Sequence, residues 1–565
     1  MNKSTALLLT TGILLLANQS YAGSATWSAS PLTNVWNKAA NWVPATVPNG
    51  PADTATFDVS STTDLTFSAL TEVNGINFDA GASAYTFEVV PPVTLTISGV
   101  GIVNNSGTTQ NFVTRDHAGK EGIILFTNSA TAGDGVIFTN RGSSFAGNVA
   151  TTEFHDNSNA GTSTFINVAP FADFSGGGIT QFFDQSSAGS STIVSKSPNH
   201  DILDGGPSLT IFHDSSTAGN ATLISTAGPV GADSWGEIDF MDQSTADNAV
   251  ITFESGNNAG ALRFYGDSTA GNAQITVGGL LDLYDNSSAG NAVIVLEDGS
   301  YGSITANSSG GTAVFRILGS ATFDMQLHTL PGMSVGSIEG DGTIQLSKYN
   351  LTIGTNDQST AFSGLIEDQS SAGSLSKVGL GTLTLSGPNT YAGGTTVEDG
   401  TLLLTNNAVS ATGSGPVHVN AGALGGRGVI AGAVTVGTGN GLGAVLAPAA
   451  GSTRQTTITL QSTLTMQADA IYIYTAAAKH NRAKTDLVVA NGVTINGASF
   501  SFQPDLQGGL QAGLVLTVIK NTAATPIGGT FSNLADGAII TAHGVDFQAN
   551  YEGGDGNDLT LTVVP

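Results

Sequence analysis

The phrase FHDSSTAGNATL, residues 212–223, is one of six near-copies that fill the middle of the chain and decide its fold. In each copy an apolar residue ends one strand. The side chains of Asp or Asn and of Ser and Thr then hydrogen-bond to the backbone of a turn, and Ala-Gly, or once Ala-Asp, forms a tight corner. The strand that follows alternates apolar and polar residues, which is typical of burial on one face. The other copies are FHDNSNAGTSTF from Phe154, FFDQSSAGSSTI from Phe182, FMDQSTADNAVI from Phe240, FYGDSTAGNAQI from Phe264 and LYDNSSAGNAVI from Leu283.

The distance between successive corners predicts an elongated all-β solenoid, a single-stranded parallel β-helix. The corner alanine stands at positions 160, 188, 218, 246, 270 and 289, so the spacings are 28, 30, 28, 24 and 19 residues. Such lengths suit a solenoid rung with loops of variable size on one side. An earlier pair, Ala132 and Ala146, is only 14 residues apart. Half-rungs and a local hairpin are both compatible with that shorter step.

Composition agrees with a repetitive chain that buries a core along its length. Glycine accounts for 74 of 565 residues, 40% of residues are hydrophobic and only 10% are charged. The net charge of -27 comes from 43 acidic against 16 basic residues, and no basic cluster is present, which argues against nucleic-acid binding. Because the chain has no cysteine, neither a disulfide framework nor a thiolate metal site is possible.

The first residues have the pattern of a secretory signal peptide. Lys3 supplies the positive region, residues 7–17 are apolar, and residues 20–22 read Ser-Tyr-Ala. We expect cleavage between Ala22 and Gly23. The apolar run is shorter than the roughly 20 residues of a spanning helix, and no later stretch predicts a transmembrane helix in the mature chain.

Residues 375–404 do not follow the repeated phrase of the preceding region. They read LSKVGLGTLTLSGPNTYAGGTTVEDGTLLL. This segment resembles the passenger-associated transport repeat, or autotransporter-associated β-strand repeat, of autotransporter proteins. Residues 415–419, 425–428, 446–448, 486–489, 530–537 and 551–559 also resemble the downstream part of such passengers. The positions that carry the resemblance of the repeat are Lys377, Gly379, Gly381, Thr382, Leu383, Leu385, Gly387, Asn389, Tyr391, Gly393, Gly394, Thr395, Gly400 and Leu402.

This resemblance implies a β-helical passenger domain that crosses the outer membrane of a Gram-negative bacterium. It implies outer-membrane export machinery as a partner and a stable C-terminal stack that prevents back-sliding. Passengers are normally followed by a membrane β-barrel, whereas this sequence stops at Pro565 without the strand pattern of one. The expectation is therefore a passenger that lacks the C-terminal barrel, with a secreted or cell-surface, outer-membrane-associated location.

Five segments are expected from these patterns. They are a signal peptide at 1–22, a tryptophan-containing cap with the first β rungs at 23–118, the Asp-x-Ser-x-Ala-Gly-Asn repeat solenoid at 119–374, the transport repeat at 375–404, and a C-terminal β-helix with a terminal β cap at 405–565. Trp27, Trp36 and Trp42 fit either a cap over the open end of the first rung or a sugar-stacking platform, and we favour the cap.

Several polar positions invite a chemical interpretation, yet none predicts a catalytic, cofactor or metal site. His155 and His213 precede aspartates, but other copies carry Phe or Met in their place. The aspartates in the repeats could align as in a β-helical polysaccharide-degrading enzyme, although the Asp-x-Ser context indicates turn capping. Asn220, Asn248, Asn272 and Asn291 predict an amide ladder, with a ligand-binding row as the alternative. Residues 553–558 match one copy of a calcium nonapeptide, which favours a final β-turn.

The sequence therefore predicts an exported, non-enzymatic passenger with an adhesin or extracellular structural role. Its ligand, a glycan or a protein, is not specified by any motif. A β-helical polysaccharide-degrading enzyme is the alternative.

Overall fold

The structure of the protein is a computed structural model. It describes residues 23–117, 120–143, 149–198, 205–228, 235–256, 260–329, 331–369, 371–441, 443–452, 454–479, 482–507 and 510–565. Within these ranges the chain winds as a succession of short strands into a parallel β-solenoid of about 17 turns. The predicted fold class is confirmed.

The first face of the solenoid is a 16-stranded sheet that is parallel except where β1 meets β2. Its strands, in spatial order, are β2 (Trp42–Val43), β1 (Ala25–Trp27), β3 (Gly50–Phe57), β5 (Thr71–Phe78), β7 (Thr94–Asn104), β11 (Ile123–Phe126), β13 (Thr151–Phe154), β15 (Ile179–Phe182), β17 (Ser208–Phe212), β19 (Gly236–Phe240), β21 (Ala261–Phe264), β23 (Leu280–Leu283), β25 (Tyr301–Ile304), β27 (Thr322–Asp324), β29 (Thr343–Gln345) and β32 (Leu365–Glu367).

The second face begins as a column of single bridges at the corners, from Gly101 to Ser309, and widens into full strands towards the C-terminus. These strands are the first half of β28 (Gly332–Gly340), β30 (Asn350–Ile353), β33 (Ser374–Lys377), β35 (Thr395–Val397), β37 (Val417–Val419), β40 (Val434–Val436), β43 (Leu464–Met466), β47 (Val493–Asn496) and β50 (Gly528–Thr530).

The third face runs almost the whole length of the described chain. Its strands are β4 (Asp64–Thr66), β6 (Thr86–Val89), β8 (Gln110–Thr114), β12 (Val136–Asn140), β14 (Thr164–Asn167), β16 (Thr192–Ser195), β18 (Thr222–Ser225), β20 (Val250–Phe253), β22 (Gln274–Val277), β24 (Val293–Leu296), β26 (Gly310–Ile317), the second half of β28, β31 (Thr360–Phe362), β34 (Thr382–Leu385), β36 (Thr401–Leu404), β38 (Gly422–Gly426), β41 (Ala444–Ala447), β44 (Ala470–Lys479) and β48 (Ser499–Gln507).

The C-terminal end closes with a seven-stranded sheet that changes from parallel to antiparallel pairing. The change occurs where β49 pairs with β53, and it produces the β-rich cap expected from the sequence. The strands are β39 (Val429–Ile430), β42 (Thr457–Leu460), β46 (Leu487–Ala490), β49 (Val515–Asn521), β53 (Asp558–Val564), β52 (Val545–Gly553) and β51 (Ile539–Ala542). The remaining elements are β9 (Asp116–His117), β10 (Lys120–Glu121), β45 (Arg482–Thr485) and a 3-10 helix at Ala39–Asn41.

The interior is filled by side chains that stack on their equivalents in the next rung. Six phenylalanines that end the strands of the first face are fully buried, with ring centroids 4.7–4.9 Å apart and planes within 8° of parallel. Their spacing is that of neighbouring β-strands, because the parallel register puts identical positions directly above one another. The six are Phe126, Phe154, Phe182, Phe212, Phe240 and Phe264.

Loops on one edge account for the unequal spacing of the corners. The connections from the third face back to the first face shorten from twelve residues between β16 and β17 to two between β22 and β23, as the corner spacing falls from 30 to 19. Thr131 bridges to Asn159, so the corner at Ala132 stacks directly on the corner at Ala160, one full 28-residue rung away. Ala146 lies outside the described residues, in the connection between β12 and β13.

The three N-terminal tryptophans are buried and pack at the first rungs. Trp42 makes edge-to-face contacts with Trp27 and Trp36, at 5.1 and 4.9 Å between centroids, and Trp36 stacks on Phe67. All three indoles are 2% exposed or less. Buried rings cannot offer a face to a sugar, so this arrangement excludes the stacking platform and agrees with the cap.

Candidate functional site

The side chains of the repeated aspartates at the corners hold the backbone of the preceding rung. Asp184 Oδ2 accepts a 2.9 Å hydrogen bond from the Asp156 amide, and Asp214 and Asp242 repeat the contact one rung later at 3.0 Å. All of these residues adopt the left-handed conformation, with φ between 53° and 58°. Aspartate tolerates that conformation and satisfies a backbone donor at the same time. The column is a structural ladder between rungs: each carboxylate accepts from an amide in the preceding turn, 28 to 30 residues away, and not from its own turn as predicted.

Replacing Asp214 by Ala should destabilise the repeat by about 1–2 kcal/mol, because the Asp184 amide loses its acceptor and Ala is strained at positive φ. Asp214→Asn retains both an acceptor and left-handed tolerance, so it should change stability by less than about 0.5 kcal/mol. Urea denaturation of the two variants beside the unchanged chain measures the difference. Equal costs would contradict the proposed role of the ladder.

The two histidines of the repeats belong to an outer column of stacked side chains on the first face. Phe183 lies between His155 and His213, with centroid distances of 4.5 Å to each. Further along, Tyr265 and Tyr284 stack at 4.9 Å. Burial lowers the pKa of His213, which favours its neutral form. Because the rings stack on one another, the column presents ring edges to solvent.

Beside this outer column, polar side chains gather on the outer surface of β19 to β27, which we call the polar strip. Arg263 Nη1 donates to Glu237 Oε1 at 2.8 Å, and Trp235 Nε1 donates to the same oxygen at 2.6 Å. In the following rungs, Ser303 Oγ donates to Asp282 Oδ1 at 2.5 Å and the Tyr301 hydroxyl donates to Asp324. The strip comprises Trp235, Glu237, Asp239, Arg263, Asp282, Tyr301, Ser303 and Asp324.

Asp239 is the least satisfied member of the polar strip. Its Oδ1 is buried and has no hydrogen-bond partner. Burial, followed by repulsion from Glu237, raises the pKa of Asp239 to about 7, and Arg263 opposes the shift. A repeating sequence pattern could not identify this residue, since its environment comes from strands 20 to 30 residues apart.

Stability should depend on the protonation of Asp239 between about pH 4 and pH 7. Its folded pKa lies above the unfolded value, so the folded state holds the extra proton and stability falls as pH rises through this window. We expect a loss of at most about 4 kcal/mol, since the shift spans roughly three pKa units at about 1.4 kcal/mol each, with little further change above pH 7. Asp239→Asn should remove this part of the pH dependence in urea titrations at pH 4, 5.5 and 7. An unchanged slope in the variant would contradict the assignment.

The residues of the transport repeat are arranged to join rungs. Lys377 is 1% exposed, and its Nζ donates to the carbonyls of Val378, Gly379 and Asp399 at 2.6, 2.8 and 3.3 Å. Asn389 accepts from the Ile366 amide at 2.8 Å and donates to the Ala411 carbonyl at 2.6 Å. These two polar side chains therefore satisfy backbone groups on neighbouring rungs.

Other positions of the transport repeat supply packing and close approach. The hydroxyls of Tyr391 and Thr395 lie 2.6 Å apart in the interior, and Leu383 and Leu385 are buried on one strand, β34, which begins at Thr382. Gly387 has no room for a side chain, because a Cβ there would lie 1.7 Å from the Gly364 carbonyl oxygen. Gly379 and Gly394 have positive φ, while Gly381 and Gly393 approach neighbouring carbonyls closely.

The remaining sequence predictions have mixed outcomes. Asn291 donates to Asn272 at 3.1 Å and Asn272 to Asn248 at 3.3 Å, so the expected amide ladder forms over three of its four predicted members. Asn220 makes no side-chain hydrogen bond to Asn248 in the described structure. Residues 553–558 form the turn between β52 and β53. Ala22 lies outside the described residues, and Gly23 is the first residue described, so cleavage between them stays a prediction.

No group of three or more His, Asp or Glu side chains in the described part of the chain could hold a metal ion. No described helix is long and apolar enough to cross a membrane.

The comparisons with known proteins bear mainly on the segment near the C-terminal end of the parallel solenoid. The family model for the passenger-associated transport repeat matches residues 375–404. Among curated proteins, the adhesin BmaC autotransporter of Brucella suis biovar 1 (strain 1330) is 40% identical over 114 residues, which are 19% of this chain and 3% of that protein. The match thus spans a small fraction of the relative.

Among solved structures, the Hap adhesin of Haemophilus influenzae aligns with 90% of this chain and 63% of its own. The sequence identity is 11% and the TM-score is 0.26. A similarity of this size bears on neither function nor ligand.

Proposed function

We propose that the protein is an exported passenger that acts at the cell surface as an adhesin, with its binding surface spread along the rod. The observation that carries the proposal is the transport repeat at residues 375–404, built into an unbroken solenoid. Its buried Lys377 and Asn389 connect neighbouring rungs near the C-terminal end. The name of the Brucella relative, an adhesin autotransporter, supports the same role.

The shape of the molecule favours surface contact over catalysis in a pocket. Each rung repeats the same three faces, and the corner aspartates of the repeat are occupied in backbone hydrogen bonds. A rigid rod of this kind can hold a binding surface at a distance from the cell. We therefore propose a non-enzymatic role.

The five segments expected from the sequence form part of the proposal. Residues 1–22 would direct export and be removed before Gly23, residues 23–118 would cap and start the rod, and residues 119–374 would carry the binding surface. The transport repeat at 375–404 and residues 405–565 would provide the stable end that prevents back-sliding during passage through outer-membrane export machinery.

Export is tested by producing the full chain with its own leader in a Gram-negative host and treating intact cells with protease. We expect the mature protein, starting at Gly23, to be degraded by external protease or recovered from the medium. Confinement of the mature protein to the cytoplasm would overturn the proposal. A periplasmic maltose-binding protein, which must remain intact, controls for lysis.

Adhesion is tested separately with beads that carry the purified mature protein. We expect these beads to attach to host cells or to immobilised extracellular glycans and proteins more than beads that carry albumin. Attachment equal to that of albumin beads on every surface, with the protein shown to be folded, would argue for a purely structural coat.

A further inference from the structure

We infer that two adjoining cavities just beyond the transport repeat bind a short oligosaccharide with isolated carboxylate groups, and that Arg427 and Arg454 hold those carboxylates. The site lies on the C-terminal rungs, outside residues 119–374, so it is a binding site additional to the adhesive surface proposed above. Two observations carry the inference: both arginines have free guanidinium groups that line a cavity, and no carboxylate among the described residues lines either cavity.

The cavities lie on the two flanks of the connection that joins β41 to β42. The first has a volume of about 640 Å³, with walls from β36 and β38 of the third face, from β39 and β42 of the seven-stranded sheet, and from the connection itself. The second has a volume of about 610 Å³ and lies against β38, β41, β44 and β48. Ala450, Ser452, Arg454 and Gln455 line both, so the cavities adjoin. Each is large enough for about two or three sugar units.

The connection from β41 to β42 is held by hydrogen bonds at its end and in its middle. Thr456 Oγ1 donates to the Pro448 carbonyl at 2.5 Å, which closes the connection on itself. The Thr456 amide donates to the buried Asp486 carboxylate at 2.9 Å, and the Arg454 amide donates to Ser452 Oγ at 3.0 Å. The backbone that carries Arg454 is therefore in place before a ligand arrives.

The guanidinium groups of Arg427 and Arg454 are available to a ligand. Both side chains are exposed, and neither makes an ion pair or a side-chain hydrogen bond within the described residues. Three other arginines of the chain are paired with glutamates, namely Arg115, Arg263 and Arg316. The chain has 43 acidic residues against 16 basic ones, yet the described lining of both cavities holds two of its seven arginines and no Asp or Glu. The carboxylate that would pair with these arginines is thus left to the ligand.

The chemistry of the lining matches a sugar that carries a carboxylate. A guanidinium presents parallel N–H donors that fit both oxygens of a planar carboxylate. Around the two arginines the first cavity offers hydroxyl and amide side chains, including Thr405, Asn407, Ser452 and Gln455, none of which is buried. Such groups suit sugar hydroxyls, because each hydroxyl both donates and accepts.

The charge of the whole chain limits the density of charge on the ligand. With a net charge of -27, the protein repels a highly sulfated or phosphorylated polymer everywhere except near its few basic groups. Two arginines neutralise only a small part of such a polymer. A ligand with one carboxylate on a sugar unit, or one on the whole chain, meets the arginines without bringing further negative charge against the rod.

The surrounding strands favour a sugar over an acidic peptide. Peptides commonly bind by adding to an open strand edge or by placing large side chains in apolar pockets. β36, β38 and β42, which form most of the floor of the first cavity, are each paired with a strand on both sides and offer no open edge.

The test is isothermal titration calorimetry of the purified protein with sialyllactose and with digalacturonate. Lactose is the neutral comparator, because it is sialyllactose without its acidic unit, while tetraglutamate and a heparin tetrasaccharide represent an acidic peptide and a dense polyanion. We expect at least one of the two carboxylate sugars to bind, and lactose to bind at least about tenfold more weakly. Arg427→Gln and Arg454→Gln should each weaken binding of the carboxylate sugar by about tenfold, and the double variant by about a hundredfold.

Arg482→Gln is the matched control, since it removes an exposed arginine from β45 that lines neither cavity. It should bind the carboxylate sugar as the unchanged protein does. Because Arg427 and Arg454 have no side-chain partner in the described structure, their variants should keep the circular dichroism spectrum and urea midpoint of the unchanged protein.

The proposal would be overturned if neither carboxylate sugar bound, if lactose bound as well as sialyllactose, or if tetraglutamate or the heparin fragment bound more tightly than both. It would also be overturned if Arg482→Gln weakened binding as much as the cavity variants do. Adhesion is scored separately with beads that carry the double variant. Beads that still attach to host surfaces leave the adhesin function in place whatever the outcome at the cavities.

Discussion

Phe182→Ala is expected to destabilise the central rungs by about 3–5 kcal/mol, which is the largest effect we expect from one substitution in the repeat. The Phe182 ring is fully buried and stacks on Phe154 and Phe212, with centroids 4.8 Å away on either side. Removing the ring leaves a cavity and breaks two aromatic contacts, because the stacked rungs cannot close around one missing side chain.

Phe183→Ala is the matched control, since it removes the same side chain from the next residue. Phe183 points outward and is partly exposed between His155 and His213. Its loss should cost about 1 kcal/mol. Urea denaturation with hydrogen exchange at the amides of β15 and β17 measures both variants. Similar costs for Phe182 and Phe183 would show that the stacked interior is not the main source of stability.

Lys377→Met should destabilise the transport repeat by about 3 kcal/mol. Methionine retains the length and much of the volume of the side chain but leaves the carbonyls of Val378, Gly379 and Asp399 without their donor. Each buried acceptor left unpaired costs about 1–3 kcal/mol. Burial lowers the pKa of Lys377, because the charged amine is costly to hold away from water. Removing that charge therefore offsets part of the destabilisation caused by the unpaired carbonyls.

Lys520→Met removes a lysine from an exposed position on β49 and should change stability by less than about 0.5 kcal/mol. Thermal denaturation compares the two variants, and the amount of protein reaching the cell surface provides a second measurement. If the stable C-terminal stack supports export, Lys377→Met should lower the surface yield while Lys520→Met does not. A Lys377 variant as stable as the Lys520 variant would contradict the structural role of the buried amine.

The regular parts of the molecule were predictable because they depend on local rules that repeat. The Asp-Ser-Ala-Gly phrase favours a turn in each copy, and parallel stacking then forces equivalent residues into columns. This reasoning predicts the Asn248 to Asn291 ladder and side-chain-to-backbone hydrogen bonds by the corner aspartates, although their amide partners lie one rung away and not in the same turn. The length of the rung between Ala132 and Ala160 was ambiguous in the sequence. A further Ala-Gly pair at Ala146 matches the corner sequence, so it could have been read as another corner.

Interactions between positions that vary from rung to rung were not predictable. Outward positions of the first face differ from rung to rung. Glu237, Arg263 and Asp282 stand where other rungs carry Thr151, Gln181 or Ile211, so the repeat does not predict that these side chains meet.

A buried polar column inside the solenoid was not predicted, for the same reason. Asn140 Nδ2 donates to Asn167 Oδ1 at 2.9 Å there, among residues that a strand pattern would assign to an apolar core.

By itself the sequence determined the parallel solenoid, its corners, a β-rich C-terminal cap and the transport repeat, since turn chemistry and alternating burial operate over a few residues. The antiparallel pairing within that cap came only from the structure. Only the tertiary structure decided which outward side chains meet on the first face and that Asp239 lacks a donor. The physical reason is that these contacts join residues 19 to 30 positions apart, brought together by register, and their electrostatics depend on how neighbouring rungs exclude water.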